Sequence, residues 1–444
     1  MLRAKTVLLG ITLVLFATLI GARWCQAQTC TVTASAGTID STYNTMVTQN
    51  GPGTGLEPTG SPGWTGSDST YSILLPNGNS AYFYSDSYIG QSPTVTNDGT
   101  VTTNSNGLRT RTSDLYYAHN GYVIRNNSTG ELTTVYGAPD GSGFSTSLFT
   151  PTTSGHIFWM GDSVVVQTDS SGTQELWVML LEYTSASGTT YAGSSIAEIS
   201  LPSMNIVNVF PLSTQSTGVM WGTSMWLNGS YGSYALYIYG IGTGNSGTTK
   251  GQPYVAWSPA GSGASGFANM NSWFYATYPN NTYSSSGPSW TSTMSSASPI
   301  IGETGDPNNA GNTIANGYSV KKIASSAGTT YLLVAEDMTG AVDYDQKHIV
   351  LYSACHPYGP FSAEDVVYTT PETLATTVPG MTGSQKLSGK LYTYNPHAHP
   401  EAYTNGDLLI SYNVNADDGP DHIYADAYHA RFIDVFIAGY AGLP

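Results

Sequence analysis

The sequence predicts an all-β protein, a five-bladed β-propeller with four antiparallel strands per blade and long rim loops, and three observations carry that reading. Gly, Ser, Thr, Asn and 32 Tyr are abundant while charged residues make up only 9% of the chain, a balance that favours strands and tight turns over helices. Five hairpin patterns follow one another along the chain. Looser strand-like stretches follow the hairpins, and no long apolar rhythm of 3.6 residues appears beyond the first residues.

Residues 1–27 read as a secretory leader, with Arg3 and Lys5 ahead of an uncharged apolar run over 7–22 and the small residue Ala27 at the cleavage site. The run is short for a spanning helix, and no later segment reaches the roughly 18 consecutive apolar residues such a helix needs. Arg23 and Trp24 stand where small residues would precede a lipidated Cys25. Residues 28–444 are then expected to form one propeller domain, secreted to an extracellular or periplasmic space without stable membrane insertion. Losing the leader removes Arg3, Lys5 and Arg23, so ten Lys and Arg face 29 acids. That scarcity of cations argues against nucleic acid and anionic membranes as partners, because both demand clustered positive charge. Cys30 and Cys355 are the two cysteines left; an oxidising compartment permits them to pair without requiring it.

The first hairpin runs from 68–75 through Pro76-Asn77-Gly78-Asn79 and back along 81–86, Asn-Gly being the strongest short hairpin signal. The second joins 159–166 to 176–182 around Gly172, and the third joins 221–226 to 234–240 around Asn228-Gly229. The fourth joins 317–321 to 331–337 around Gly328, and the fifth joins 395–401 to 408–415 around Asn405-Gly406. Further strands are expected at 121–126, 131–136, 196–201, 206–210 and 428–437, which makes each unit a four-stranded blade. Units of about 80 residues exceed the roughly 40–50 of minimal blades, so 240–266 and 278–311 are read as rim loops. A β-sandwich is the structural alternative.

Inner strands of a propeller meet at its axis, so polar residues at the blade starts converge there. A turn centred on Asn77 and Gly78 sets Asp68 beside Asp86. Opposed side chains on one face stand about 4.5–5.5 Å apart at Cβ, and two carboxyls that close do not ionise independently. One is expected to keep its proton to higher pH while the other serves as base or nucleophile. The same arithmetic sets Asp162 near Glu182, His397 near Asn415 and His399 near Asn413. A slip of one residue would turn a partner to the opposite face, and the bland reading makes Asp86 a turn cap and Asp68 a solvated loop residue.

His397, His399 and Glu401 alternate with Ala398 and Pro400 and share one face of an extended strand. The spacing suits a metal, but no further ligand can be named and imidazole hydrogen bonds to substrate fit equally, so neither metal nor cofactor is expected. Residues 413–419 faintly resemble a calcium loop, yet Tyr424 stands where its glutamate belongs. Trp64, Trp221 and Tyr394 are candidates to stack on sugar faces, with core packing as the alternative for each. No Gly-x-Ser-x-Gly turn supports a nucleophilic serine, and a sialidase, which gathers three arginines around an acidic sugar, is disfavoured where Arg109, Arg111, Arg125 and Arg431 are all the arginines beyond the leader.

Four stretches carry a family resemblance: Gly66-Ser67-Asp68 with Tyr82 to Ser87; His119-Asn120 with Trp159-Met160-Gly161-Asp162; Trp221-Gly222-Thr223 with Tyr237 to Gly240; and Tyr394 to Glu401 with Leu409 to Asn415 and Arg431-Phe432. In these the chain resembles a family of secreted five-bladed propellers, long of unknown function, that includes endo-D-arabinanases. The resemblance implies a glycoside hydrolase with a catalytic pair at Asp68 and Asp86, and with Asn120, Asp162, His397 and His399 around the substrate. The sequence departs from that pattern at Ser85-Asp86-Ser87, where relatives more often carry Gly-Asp-Thr.

The expected function is hydrolysis of a polysaccharide, arabinan or another cell-wall glycan, by Asp68 and Asp86 in an order left open. Asn120, Asp162, Trp221, His397, His399, Glu401, Asn413 and Asn415 are the expected substrate contacts, and Asp162, Glu182 and Glu401 are reserve carboxylates. A non-catalytic carbohydrate-binding propeller and a purely structural surface protein are the alternatives.

Overall fold

Five sheets of four or five antiparallel strands follow one another around an axis, so the chain is an all-β, five-bladed propeller. The structure is a computed structural model that describes residues 30–443 apart from 50–61, 91–98, 104, 106–108, 114–116, 142, 186–189, 214–217, 246–247, 260–262, 279–282, 284–286, 303–305, 307, 327, 341–346, 373–390, 405 and 417–422. The leader expected at 1–27, with Cys25, lies outside the described residues. Among the described residues no helix is long and apolar enough to cross a membrane.

Blade I is built from Tyr71–Leu74, Ser80–Tyr84, Gly121–Arg125 and Leu132–Val135, and blade II from His156–Gln167, Gln174–Thr184, Thr190–Ser200 and Asn205–Pro211. Blade III uses Val219–Asn228, Ala235–Gly242, Pro253–Pro259, Phe274–Thr277 and Ser289–Thr291, and blade IV uses Ser319–Ser325, Gly328–Glu336, His348–Ala354 and Asp365–Thr369. Two of these strands correct the rim-loop reading: Pro253–Pro259 falls inside 240–266, and Ser289–Thr291 inside 278–311. Glycine and serine around Pro253–Pro259 disguise its short apolar run, and Ser289-Trp290-Thr291 has one apolar residue and no run to see.

Blade V takes Leu391–Thr404, Asp407–Ala416 and His429–Phe436 from the end of the chain and Thr38–Ile39 from its start. Thr38 pairs with Asp434 and Ile39 with Ile433, so the first described strand is the outermost strand of the last blade. Nothing in two residues of sequence announces that closure. Cys30 and Cys355 are disulfide-bonded, which ties the same segment to the end of the third strand of blade IV.

The first strand of each blade is the inner one, and these five strands touch in cyclic order around the axis. Apolar side chains fill the wedges between blades: Trp177, Met179, Trp221, Met225 and Trp273 pack between blades II and III, and Leu332, Leu351, Ile410, Val414 and Ile433 between IV and V. At the hub the filling is polar. Asp162, fully buried on blade II, accepts both of its contacts with Lys321 Nζ of blade IV at 2.9 Å, together with Ser224 Oγ at 3.0 Å and the Met225 N–H at 2.9 Å from blade III. From blade V, His399 reaches Ser72 Oγ of blade I at 2.5 Å and Ser411 Oγ at 2.7 Å.

Two register expectations need correction. Asp162 is not near Glu182: a bulge between Met160 and Ser163 turns it into the hub, while Glu182 lies opposite Phe158 and binds His156 Nδ1 at 2.6 Å. His397 opposes Ser411 and His399 opposes Leu409, while Asn413 and Asn415 oppose Tyr394 and Tyr392. The register shifts between His399 and Thr404 and again between Tyr394 and His397, which straight counting from the turn cannot include.

Breaking the hub pair leaves a buried charge unmatched. Lys321→Ala is expected to cost about 3–5 kcal/mol in chemical denaturation, and Asp162→Asn with Lys321→Met together to cost less than Lys321→Ala alone. Reducing the Cys30–Cys355 bond is expected to lower stability by about 2–4 kcal/mol, read as a fall in Tm on adding reductant under otherwise fixed conditions.

Candidate active site

A cavity of about 1130 Å³ opens at the N-terminal ends of the inner strands. Its wall includes Met160 and Met220 on the inner strands and Gly317 just ahead of one, and these precede the hub residues Asp162, Ser224 and Lys321 along the chain. The hub therefore lies further along the inner strands, behind the cavity wall.

Asp68 and Asp86 are both on its wall. The Tyr71–Phe83 register of blade I, carried three residues further, opposes them as the turn arithmetic expects. Two backbone hydrogen bonds complete the pairing, the Asp68 N–H donating to Asp86 O at 3.3 Å and the Ser85 N–H to Asp68 O at 3.1 Å. Asp68 follows the strand Gly63–Ser67, and a Cβ on Gly66 would stand 1.9 Å from the Arg111 guanidinium. That guanidinium is a strut: it is buried and donates to Thr65 O at 2.7 Å and Tyr428 O at 3.1 Å. Gly66 in the motif is thus required by close approach.

The two carboxyls have different surroundings. Asp68 Oδ2 accepts the Tyr394 hydroxyl at 3.1 Å, and Oδ1 is buried without a hydrogen-bond partner among the described residues. Its carboxyl is pushed up to about 8, by burial first and by the Asp86 charge second, and the Tyr394 hydrogen bond only partly opposes this. Asp86 Oδ1 accepts His119 Nδ1 at 2.7 Å and Trp159 Nε1 at 3.1 Å. Asn415 Nδ2 donates to the Tyr394 hydroxyl at 3.1 Å, and the Tyr428 hydroxyl donates to Asp86 O at 3.0 Å.

Backbone strain gathers at the same place. Ser69 (φ 55°) and Asn395 (φ 51°) hold left-handed conformations that L-residues other than glycine seldom adopt, and Asn395 Nδ2 donates to Ser69 Oγ at 3.2 Å across the seam between blades V and I. Both line the cavity.

Of the residues expected at the site, the structure brings Asp68, Asp86 and Asn415 to the cavity, along with Tyr394. The others stand elsewhere. Asn120 is buried and spent on the backbone, donating to Phe149 O and Phe158 O at 2.9 Å each and accepting the Phe149 N–H at 2.7 Å. Asp162 is in the hub. Trp221 packs against Trp273 and Tyr275, and Trp64 stacks on Tyr84, so both tryptophans are core residues on the sheet faces rather than sugar platforms. Asn413 Nδ2 holds Ser67 O at 3.2 Å and Thr70 Oγ1 at 3.3 Å.

His397, His399 and Glu401 are also away from the cavity wall. His397 packs its ring on Tyr71, His399 is hydrogen-bonded to serines, and Glu401 accepts from Ser72 Oγ. Burial holds both imidazoles well below their usual range, His399 to about 3. Among the described residues no group of three His, Cys, Asp or Glu is placed to hold a metal ion.

Sequence reading missed His119, Trp159, Tyr428 and Glu336 as cavity or carboxylate partners. His119 and Trp159 were in view inside the quoted motifs, whereas nothing near Tyr428 or Glu336 distinguishes them from ordinary strand residues.

The chain belongs to the family described as "Domain of unknown function (DUF5005)", which matches residues 58–437. No curated protein matches it in sequence. Among solved structures it is similar to a provisionally assigned hydrolase from Bacteroides ovatus, with 18% identity and a TM-score of 0.60 over 90% of this chain and 89% of that one. A levansucrase mutant from B. megaterium (10% identity, TM-score 0.43, 95% and 92% of the two chains) and an α-L-arabinofuranosidase from Lactobacillus brevis (10%, 0.38, 83% and 90%) overlay more loosely. At these identities the first likeness speaks to the fold alone, and the two looser ones carry no argument about this chain.

Removing the Tyr394 hydroxyl deletes a side-chain donor that stabilises charged Asp68 from blade V. Tyr394→Phe is therefore expected to raise the Asp68 pKa further above about 8, and ¹³C-carboxyl NMR titration of the two proteins checks the direction.

Proposed function

We propose that the protein is a secreted glycoside hydrolase that cleaves a polysaccharide, arabinan or another cell-wall glycan, with Asp68 as general acid and Asp86 as base or nucleophile. One observation carries the reading: two opposed carboxyls share a cavity in different surroundings, Asp68 deeply buried, pushed up to about 8 and with one oxygen unpartnered among the described residues, Asp86 hydrogen-bonded by His119 and Trp159. That asymmetry is what glycosidic cleavage asks of a carboxyl pair. Asp68 protonates the leaving oxygen as the C1–O bond breaks. Asp86 either takes a proton from a water that attacks C1, or itself bonds to C1, and in that case a water deprotonated by the now-ionised Asp68 then displaces Asp86 from C1. Release of the retained or the inverted anomer decides between these two.

Tyr88, Trp159, Tyr183 and Tyr392 on the wall offer aromatic faces of the kind that pack against sugar rings. The leader-like residues 1–27 and the Cys30–Cys355 bond support an extracytoplasmic location.

Purified protein, Asp68→Asn and Asp86→Asn are to be incubated with arabinans and a panel of other cell-wall glycans, and reducing ends counted. The parent is expected to release them and each variant to lose about 10²–10⁴-fold. Glycan retention without release by the parent would make it a binding propeller, and no interaction with any glycan would overturn the proposal. Because Asp68 works protonated, kcat/KM is expected to fall as pH rises through about 8. A profile that stays level to pH 9.5 would remove Asp68 from the acid role.

A further inference from the structure

Glu336 ends the second strand of blade IV and lines the same cavity as Asp68 and Asp86. It is 1% exposed. Its Oε2 accepts the Thr393 hydroxyl at 2.9 Å, and among the described residues its Oε1 has no hydrogen-bond partner. Burial is the dominant influence on this carboxyl and pushes it up to about 8, while Thr393 and the Lys347 charge pull less strongly the other way. Desolvating a carboxyl with half of its hydrogen-bonding capacity unused opposes folding, and an apolar side chain would serve the core better.

Glu336 is not a third member of the Asp68 and Asp86 pair. The carboxylate acting on Asp68 is Asp86, whereas Glu336 feels Lys347 and Asp337. The inner strand of blade V lies between the two places and serves both: Tyr394 donates to Asp68, and Thr393, its neighbour in sequence, donates to Glu336. Tyr392 and Tyr394, with rings 5.4 Å apart, line the wall beside Thr393. At about 1130 Å³ the cavity exceeds the roughly 300–1,000 Å³ that suits one drug-sized ligand, so a single sugar ring at Asp68 leaves much of it unfilled.

We propose that Glu336, positioned by Thr393, is the specificity-determining residue of a second sugar subsite, where its free oxygen binds a hydroxyl of a glycan unit beyond those flanking the cleaved bond. The ligand is then a chain of at least three units. This rests on the glycan-hydrolase reading of the cavity, and the test separates the two. Arabino-oligosaccharides of two to six units and a chromogenic arabinofuranoside are to be offered to the parent, Glu336→Gln and Thr393→Val, with binding to Asp68→Asn and Asp68→Asn/Glu336→Gln followed by calorimetry.

Glu336→Gln is expected to lower kcat/KM about tenfold on the longer oligomers, mainly through KM, and to leave the chromogenic substrate within twofold. Its Tm is expected to hold or rise, because a poorly satisfied buried carboxyl has gone. Equal loss on every substrate, or loss on none, overturns the subsite while hydrolysis by the parent keeps the functional reading. Binding of oligomers without hydrolysis by the parent ends the hydrolase reading alone, and the calorimetric chain-length dependence then decides the subsite. No binding and no cleavage overturns both.

Discussion

The buried ion pair of Asp162 and Lys321 is the constraint on which the propeller turns. A ring of five inner strands encloses an axis too narrow for water to solvate charge freely, and burying two ions there carries a desolvation penalty of several kcal/mol per ion. The geometry answers the penalty: both carboxylate oxygens meet the ammonium at 2.9 Å, and Ser224 Oγ and the Met225 and Ser163 N–H groups take the remaining lone pairs. Ser224 in turn accepts the Val320 N–H at 2.9 Å, so blades II, III and IV are locked at one height. His399 with Ser72 does the same for blades V and I. A fixed hub gives the cavity wall a rigid backing.

The division of labour along each inner strand follows. The hub charges Asp162 and Lys321 are matched, whereas at the mouth Asp68 Oδ1 lacks a partner among the described residues and Ser69 and Asn395 hold left-handed backbones. Strain of this kind costs on the order of 1–3 kcal/mol per residue and persists only where the surroundings over-determine it. The hydrogen bond between Asn395 and Ser69 spans the seam at which the ring closes, so closure of the propeller and placement of Asp68 are one event.

How much of this was legible depended on how far a register could be counted. Blade I has a three-residue turn, Pro76-Asn77-Gly78 between Leu75 and Asn79, and an unbroken ladder through Tyr71 and Phe83, and there a count from the turn sets Asp68 opposite Asp86. Blades II and V carry bulges, and beyond a bulge the count fails: Asp162 turns into the hub, and His397 shifts from Asn415 to Ser411. The alternation of His397, His399 and Glu401 was read properly as a shared face, but alternation does not reveal whether that face meets the cavity or the neighbouring blade. Closure by Thr38–Ile39 was beyond reach for a different reason, since its partner lies almost four hundred residues away.

The scarcity of cations explains the chemistry at the mouth. With 13 Lys and Arg in 444 residues, and Lys321 and Arg111 committed to the hub and to the strut behind Gly66, neither Lys nor Arg donates to the pair among the described residues: a phenol serves Asp68, and an indole and an imidazole serve Asp86. A guanidinium in the place of Tyr394 would hold Asp68 charged, because an opposite charge at contact lowers a carboxyl by one to three units. A phenol opposes burial too weakly to do so, and Asp68 remains an acid up to about pH 8. The two lysines on the same wall, Lys250 and Lys347, are not among the influences on Asp68, so its burial and the Asp86 charge go unopposed by any cation.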